Sequence, residues 1–261
     1  MLELQHLFKT FNPGTPDAKL ALNDLSFAVH DGDFVTIIGA NGAGKSTLFN
    51  AIAGSFITDA GRIFLDGKDI TLQAEHKRAR TIGRLFQDPM RGSAPGMTIE
   101  ENLALASGRG GWMHRTSQAD RRFFREKVAL LGMGLEDRMN QPVGLLSGGQ
   151  RQALTLLMAT APRPQLLLLD ECTAALDPGT AEKVLALVNR IVGEEHLTCL
   201  MITHDMQAAL DLGNRTIMMN NGQIVMDVEN EERCGLTISD LLLKFKEAAG
   251  KELSNDRMLL T

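Results

Sequence analysis

The chain has 261 residues, and 44% of them are hydrophobic, which is enough to bury one or two cores without disulfide bonds. Its net charge of −5 argues against nucleic acid as the main partner, because proteins that bind duplexes usually present a strongly basic surface. No apolar run approaches the roughly 18 to 20 residues that cross a bilayer, and the first residues lack the pattern of a signal peptide, so we expect a soluble protein that is not secreted.

The first predicted elements are two strands, over residues 2–8 and 21–29, joined by a turn-rich segment at 12–16. Phe11 lies between the first strand and this turn. Its ring is able to stack on a purine, although a phenylalanine beside a strand more often belongs to a core.

A buried strand at 33–38, a glycine-rich turn and a helix at 48–53 follow one another directly. The turn has the pattern Gly-x-x-x-x-Gly-Lys-Ser, whose backbone N–H groups and helix N-terminus form a cradle for phosphate. In such a cradle Lys45 reaches the β- and γ-phosphates of a nucleotide, and the Ser46 hydroxyl ligates magnesium. The alternative, a glycine-rich turn with an accidental Lys-Ser, is disfavoured by the flanking strand and helix. The predicted cradle consists of Gly39, Ala40, Asn41, Gly42, Ala43, Gly44, Lys45, Ser46 and Thr47.

After the cradle helix, Asp66-Gly67 predicts a hairpin, and residues 81–86 read as a strand that ends at Gln87. Open α/β sheets place ligand contacts at the ends of their strands, so Gln87 is a candidate contact. Two basic clusters, at 76–80 with Arg84 and at 121–125, are interpreted as solvated helix faces. The cysteines lack the spacing of metal ligands and are predicted to be free thiols in a reducing compartment: Cys172, Cys199 and Cys234.

Residues from about 90 to 161 predict a helical insert. A capping box at Thr98 opens one helix, residues 118–131 have helical periodicity, and 108–111 form a flexible joint. Ser147 occupies an N-cap position before an apolar helix and is followed by two glycines, which makes a second helix terminus suited to phosphate. By itself a Ser-Gly-Gly turn is also compatible with an ordinary loop. The complete turn is Leu146, Ser147, Gly148, Gly149 and Gln150.

An apolar strand at 165–169 delivers Asp170 and Glu171 at its carboxyl end. Two adjacent carboxylates after a buried strand are costly unless a cation or a reacting group uses them. We interpret Asp170 as part of a magnesium shell and Glu171 as a general base for attacking water. A further strand at 197–202 delivers His204, for which a functional role is favoured over a structural one.

The end of the chain predicts a hairpin around Asn221-Gly222 and a final amphipathic helix that Thr237 caps and that runs to about Ala249. Residues 254–261 are predicted to be a tail or a docking segment.

Taken in chain order, these motifs resemble the ATP-hydrolysing subunit of ABC transporters, and the resemblance covers nearly the whole chain. It implies an α/β P-loop NTPase fold of the ABC ATPase type. That fold has a mostly parallel core sheet, an antiparallel β subdomain, and a helical subdomain inserted between the Gln87 loop and the Leu146–Gln150 signature. The implied single ABC ATPase domain, 1–261, divides into 1–89 with 162–235 as core and β subdomain, 90–161 as helical subdomain, and 236–261 as C-terminal helix and tail.

The resemblance also assigns roles. Each ATP would lie between the cradle of one subunit and the signature of another in a head-to-tail dimer, with Ser147, Gly148, Gly149 and Gln150 contacting the opposite nucleotide. Phe11 would stack on adenine, Asp177 would communicate across the dimer, and His204 would hold the γ-phosphate. The implied catalytic residues are Glu171, His204, Gln87 and Lys45, and the implied magnesium ligands are Ser46, Gln87 and Asp170.

Some positions depart from the family pattern. Cys172 replaces a proline after Asp170-Glu171, and Ala174 replaces a serine. Ala153 and Met158 replace arginines that usually follow the signature. None of these residues contacts phosphate in the implied scheme, but Cys172 beside the base suggests an enzyme that is sensitive to oxidation.

The implied function is hydrolysis of ATP to ADP and phosphate, with Mg²⁺, to power transport. The overall pattern looks most like that of the ATPase subunits of bacterial uptake systems. The implied partners are a second ATPase subunit, separate membrane permease subunits and, indirectly, a substrate-binding protein, with no nucleic acid. The implied location is the cytoplasmic face of the cell membrane. An exporter or lipoprotein-release ATPase stays open, as does a soluble ABC ATPase such as an assembly factor. Glu171 and His204 disfavour a nucleotide-binding module without turnover.

Overall fold

The structure is a computed structural model that describes residues 1–108, 117–174, 176–233 and 235–249. Most of the predicted joint at 108–111, Cys234 and the predicted tail at 254–261 lie outside the described residues. The chain forms two compact units, one made of Met1–Ala79 with Leu197–Thr261 and the other of Arg80–His196. No helix in the described ranges is both long and apolar enough to span a membrane.

The helices and strands follow the predicted order. In chain order they are β1 (Leu2–Phe11), β2 (Lys19–Val29), β3 (Phe34–Gly39), α1 (Lys45–Ala53), β4 (Ala60–Leu65), β5 (Lys68–Asp69), α2 (Glu75–Arg78), β6 (Ile82–Leu85), α3 (Ile99–Ala106), α4 (Gln118–Ala129), a 3₁₀ turn (Val143–Leu145), α5 (Gly148–Thr160), β7 (Leu166–Asp170), α6 (Pro178–Glu195), β8 (Cys199–Ile202), α7 (Met206–Asp211), β9 (Arg215–Asn220), β10 (Gln223–Glu229), α8 (Asn230–Arg233) and α9 (Ile238–Ala249).

The first unit contains two layers of strands. One is an antiparallel sheet in the order β2-β1-β4-β5, in which Leu4 pairs with Phe27 on one side and with Ile63 on the other. In the other layer, β8, β3 and β9 run parallel, and β10 pairs antiparallel with β9. Every residue of β3 is buried, as its continuous apolar sequence predicts for a central parallel strand. The predicted hairpins at Asp66-Gly67 and Asn221-Gly222 are both present.

In the second unit β6 and β7 pair in parallel, and the helices α3, α4 and α5 lie between Gln87 and β7 in the chain. The predicted capping box opens α3: the Thr98 side chain accepts a hydrogen bond from the Glu101 N–H, and the Glu101 carboxylate accepts one from the Thr98 N–H. The basic residues of α4 form the predicted exposed face, since Arg121 and Arg125 pair with surface carboxylates and stay about 60% exposed.

The interpretation of the cluster at 76–80 as a solvated face is wrong for Arg78. This side chain is 1% exposed and lies under the C-terminus of α1. Its guanidinium donates hydrogen bonds to four main-chain carbonyls, those of Ala51, Ile52, Thr71 and Gln73, at 2.8–2.9 Å. Burial lowers the pKa of Arg78, but the guanidinium keeps its charge because helix-end carbonyls surround it.

Candidate functional site

The predicted phosphate cradle is a tight loop between β3 and α1. Gly44 is the N-cap residue of α1 and has a φ of 103°, so it supplies no capping side chain, and the first turn of α1 contains no acidic residue. Ser46 and the neighbouring loop residues Asn41 and Gly42 are exposed. The start of the helix therefore has no side-chain cap and lies beside an exposed hydroxyl, which is the arrangement that binds an anion at a helix N-terminus.

Two glycines of this loop are required by close packing of the backbone. A Cβ atom on Gly39 would lie 2.3 Å from the Met219 carbonyl oxygen, and one on Gly44 would lie 2.5 Å from that of Ala21. Both glycines also have positive φ angles, of 153° and 103°. Since larger side chains would collide with the main chain of neighbouring strands, glycine is what allows the loop to fold here.

Lys45 lies inside the loop. Its side chain is 5% exposed, and its Nζ donates hydrogen bonds to the carbonyl oxygens of Gly39 at 2.6 Å and Ala40 at 3.0 Å. These contacts hold the ammonium group inside the cradle. A bound phosphate oxygen would replace one of the two carbonyls as the acceptor of a hydrogen bond from Lys45.

His204 lies at the same edge of the first unit's parallel strands. Ile37 of β3 pairs with Ile202 of β8, so two residues further along the register brings His204 level with Gly39, where the loop begins. The His204 side chain is exposed, and Asp205 caps the following helix by accepting hydrogen bonds from the Gln207 and Ala208 N–H groups. The fold thus directs an imidazole to the end of the strand beside the cradle.

The structure does not place the Phe11 ring in a core. The residue is 38% exposed, and its ring contacts that of Phe56 edge to face, with centroids 5.6 Å apart. The Lys9 ammonium group lies 5.8 Å from the centre of the Phe11 ring. Because the residue is exposed, the stacking on a purine that the sequence predicted stays a prediction that the fold permits.

The second unit carries the other predicted residues at one edge of its strand pair. Leu85 of β6 pairs with Leu169 of β7, so Gln87 and the Asp170-Glu171 pair follow their strands at the same edge. Gln87 is exposed, and Glu171 is partly buried with a φ of 45°. A positive φ is uncommon for glutamate and costs of order 1 kcal/mol, which indicates that the surrounding chain fixes the backbone conformation at this residue.

The interpretation of Arg84 as part of a solvated helix face is wrong, because Arg84 lies on strand β6 near this edge and is largely buried. Its Nη2 lies 3.6 Å from the Asp170 carboxylate, both side chains are 13% exposed, and the guanidinium also stacks on the Phe86 ring at 4.7 Å. Arg84 therefore compensates the charge of a carboxylate that the fold partly buries. The available signal was an arginine in the middle of a buried strand, because such a charge requires a partner.

The predicted second helix terminus is also present. Ser147 caps α5 in a capping box in which the Gln150 N–H donates to the Ser147 hydroxyl and the Ser147 N–H donates to the Gln150 side chain. Arg151 stabilises the turn by donating hydrogen bonds to the carbonyl oxygens of Gly144 and Leu146. Gly149 is buried, and a Cβ there would lie only 2.1 Å from the Thr180 methyl group, so glycine allows α5 to pack closely on α6.

Asp177 caps a helix, and Cys172 is buried. Asp177 is exposed and caps α6, and hydrogen bonds from Thr180 lower its pKa. Cys172 is a free thiol that is 4% exposed, and burial raises its pKa to about 12. Since the thiolate is the form that oxidants attack, the structure contradicts the expectation that Cys172 makes the protein sensitive to oxidation.

Comparison with known proteins decides the family. Residues 22–174, more than half of the chain, match the family model described as ABC transporter. The chain belongs to the ABC transporter family. Its fold is the α/β P-loop fold of the ABC ATPases, and it is an ATP-binding subunit whose family activity is ATP hydrolysis coupled to transport.

Individual relatives agree with this assignment. The chain is 41% identical, over 95% of its length and all of the relative's, to a tyrosine transport ATP-binding protein of Clostridioides difficile. It is 38% identical to a methionine import ATP-binding protein of Rhizobium johnstonii, over 78% of this chain and 56% of that protein. Among solved structures it resembles a dimeric ATP-binding cassette bound to ADP and Pi, with a TM-score of 0.76 and 27% identity over 88% of this chain and 98% of that one.

Proposed function

We propose that this chain is the ATPase of a bacterial uptake system and that it turns over ATP as a head-to-tail dimer. The observation that carries the catalytic part is the phosphate loop with its enclosed lysine in the first unit. The second unit adds a strand that ends in two adjacent carboxylates. Phosphoryl transfer depends mainly on positioning and on stabilising charge, and both features serve that purpose.

The ATP phosphates bind the N–H groups of the loop and the Lys45 ammonium, and adenine stacks on Phe11. Mg²⁺ prefers hard oxygen ligands, and the exposed hydroxyl of Ser46 and the carboxylate of Asp170 are ligands of that kind. When bound, the ion neutralises negative charge on the phosphates. Gln87 is the third proposed ligand and contributes its amide oxygen.

Hydrolysis uses a carboxylate base. Glu171 takes a proton from water as the water oxygen bonds to the γ-phosphorus, while the bond from that phosphorus to the bridging oxygen breaks and ADP leaves with the electron pair. His204 donates a hydrogen bond to the γ-phosphate, where negative charge is rearranged in this step. The left-handed backbone at Glu171, with its φ of 45°, supports this role because strained backbone conformations occur preferentially at functional sites.

The dimer follows from the second helix terminus. Ser147 and the N–H groups of Gly148 and Gly149 offer donors at the start of α5, in the absence of any acidic residue in that turn. One chain has little use for two such termini on a single nucleotide, so we assign this one to the ATP of the opposite subunit. Asp177, which caps the adjacent helix α6, is the proposed contact across the dimer.

Import is the direction that the relatives support, since the proteins most like this chain include ones named for tyrosine transport and methionine import. We therefore propose an amino acid as cargo, with tyrosine the first to test. The working complex contains separate permease subunits at the cytoplasmic face of the cell membrane and receives its cargo from a substrate-binding protein.

The decisive experiment compares Glu171→Gln with Glu182→Gln, a matched change at an exposed position of α6. We expect Glu171→Gln to bind ATP normally, to accumulate as a dimer in ATP, and to hydrolyse it at least about a hundredfold more slowly, the usual share of a general base. Glu182→Gln should match the unmodified chain in all three measurements. Normal turnover in Glu171→Gln would refute the catalytic assignment.

Direction and cargo require the complex. The subunit is purified from membranes with its bound partners, reconstituted into vesicles, and supplied with labelled tyrosine, other amino acids and the co-purified binding protein. Import predicts that cargo moves, in an ATP-dependent way, toward the side of the vesicle membrane on which the ATPase subunit and ATP lie. Movement of cargo in the opposite direction, or co-purification with soluble partners alone, contradicts it.

A further inference from the structure

A second lysine lies at the phosphate loop, on its outer side. The Nζ atom of Lys19, the first residue of β2, is 3.0 Å from the position that a Cβ atom on Gly42 would occupy. Gly42 is exposed and has a φ of 83°, so no side chain separates the ammonium group from the loop backbone. The loop therefore has a positive charge on its rim in addition to Lys45 at its centre.

The two lysines are in different situations. Lys45 is enclosed and hydrogen-bonded to loop carbonyls, whereas Lys19 is exposed. Within the described ranges, Lys19 forms no ion pair with a carboxylate, in contrast to Lys9 on the neighbouring strand, which lies 2.7 Å from Asp59. The charge of Lys19 is thus available to an anion that approaches the loop from solvent.

Lys19 also lies directly opposite Phe11. The two residues are paired in the register of β1 and β2, and residues directly opposite in an antiparallel pair have their side chains on the same face of the sheet. The exposed ring of Phe11 and the ammonium group of Lys19 consequently flank the same approach to the loop. A nucleotide with its base on Phe11 and its phosphates in the loop would pass Lys19.

We infer that Lys19 binds nucleotide by contacting the polyphosphate oxygens from the rim of the loop. This inference rests on the proposed function, because it requires that the loop and Phe11 hold one nucleotide. Lys19 acts in binding and adds nothing to proton transfer. The chemical class that it recognises is a nucleoside di- or triphosphate, and the competing possibility is a contact with the ribose hydroxyls.

The test replaces Lys19 by methionine, which keeps most of the apolar stem and removes the charge. Lys68→Met is the matched control, since Lys68 is an exposed lysine of the same unit on β5. Lys19→Arg keeps the charge. Equilibrium affinities for ATP, ADP, AMP and adenosine are measured without turnover, together with the salt dependence of ATP binding and the thermal unfolding midpoint.

We expect Lys19→Met to bind ATP and ADP about two- to fivefold more weakly than Lys68→Met, the range for an exposed charge pair, with a shallower salt dependence. Adenosine affinity and the unfolding midpoint should match the control, and Lys19→Arg should retain most of the affinity for ATP. Unchanged ATP affinity in Lys19→Met, or an equal loss for adenosine, would overturn the inference. If the unmodified chain fails to bind ATP, the proposed function fails. If the unmodified chain binds ATP and Lys19→Met binds it as tightly as Lys68→Met does, the inference alone fails.

Discussion

Replacing Arg78 by methionine tests whether the buried guanidinium supports the helix that follows the phosphate loop. Arg78 is 1% exposed, and two of the carbonyls that it binds, those of Ala51 and Ile52, belong to the last turn of α1. The other two acceptors are the carbonyls of Thr71 and Gln73. Methionine has similar length and no donors, so the substitution removes all four hydrogen bonds and leaves most of the volume filled.

The cost can be estimated from each acceptor. The Ala51 carbonyl keeps the Gly54 N–H as a donor, at 3.2 Å, while Ile52 is fully buried and its carbonyl would lose the guanidinium. A buried unsatisfied carbonyl costs about 1–3 kcal/mol. Loss of a cation at a helix C-terminus adds about 0.3–1 kcal/mol. The carbonyls of the partly exposed Thr71 and exposed Gln73 are able to bind water instead, so the net expectation is a loss of about 3 kcal/mol.

The assay is urea unfolding followed by circular dichroism, with Lys77→Met as the control. Lys77 lies beside Arg78 on α2 and is exposed, so its replacement removes the same charge without removing buried hydrogen bonds. The control should change the free energy of unfolding by less than about 0.5 kcal/mol. If Arg78→Met proved as stable as Lys77→Met, the assignment of Arg78 as a cap for α1 would be wrong.

Three further predictions use the second unit. Hydrogen bonds to Glu101 within its capping box and from Thr180 to Asp177 lower the pKa of both carboxyls below their ordinary values of 4.5 and 3.8. The stability that they supply should therefore be complete above those values and be lost as the pH falls below them, measured as the urea midpoint. Cys172 should react with iodoacetamide on the order of a thousandfold more slowly in the folded protein than in urea, by site-resolved mass spectrometry, and comparable rates would contradict its burial. Gly149→Ala should cost about 1–3 kcal/mol because of the Thr180 methyl group, and Thr180→Ser, which removes that methyl, should restore most of the loss; no rescue would exclude the clash as its cause.

Features fixed by local chemistry were predictable. The phosphate loop, the hairpins, the capping box at Thr98 and the N-cap at Ser147 each depend on residues within a few positions of one another, and each is present in the structure. The positions at which the buried strands end were also predictable, because polar residues directly after an apolar run mark the end of such a strand. Strand lengths were less certain: β1 extends to Phe11, three residues beyond its predicted end, since pairing with β2 continues that far.

Features fixed by distant partners were not predictable. Arg78 was misread because its acceptors in α1 lie 26 and 27 residues earlier in the chain, and a run of basic residues carries no sign of such a contact. The pairing of Arg84 with Asp170 joins residues on two strands that are far apart in sequence. The approach of Lys19 to Gly42 depends on how β2 crosses the loop, so only the folded chain reveals it.

The helix α1 shows how these local and distant contributions combine. Its N-terminus has no capping side chain and no acidic residue in the first turn, so its partial positive charge is available to phosphate. Glycine at the N-cap costs a few tenths of a kcal/mol in stability relative to a side-chain cap. The opposite end is held by a left-handed glycine cap at Gly54 and by the buried charge of Arg78, which bind the last carbonyls. Because the stabilising contacts are concentrated at the C-terminal end, Arg78→Met should lower stability without changing nucleotide affinity in the fraction that remains folded, whereas changes at the loop should do the reverse.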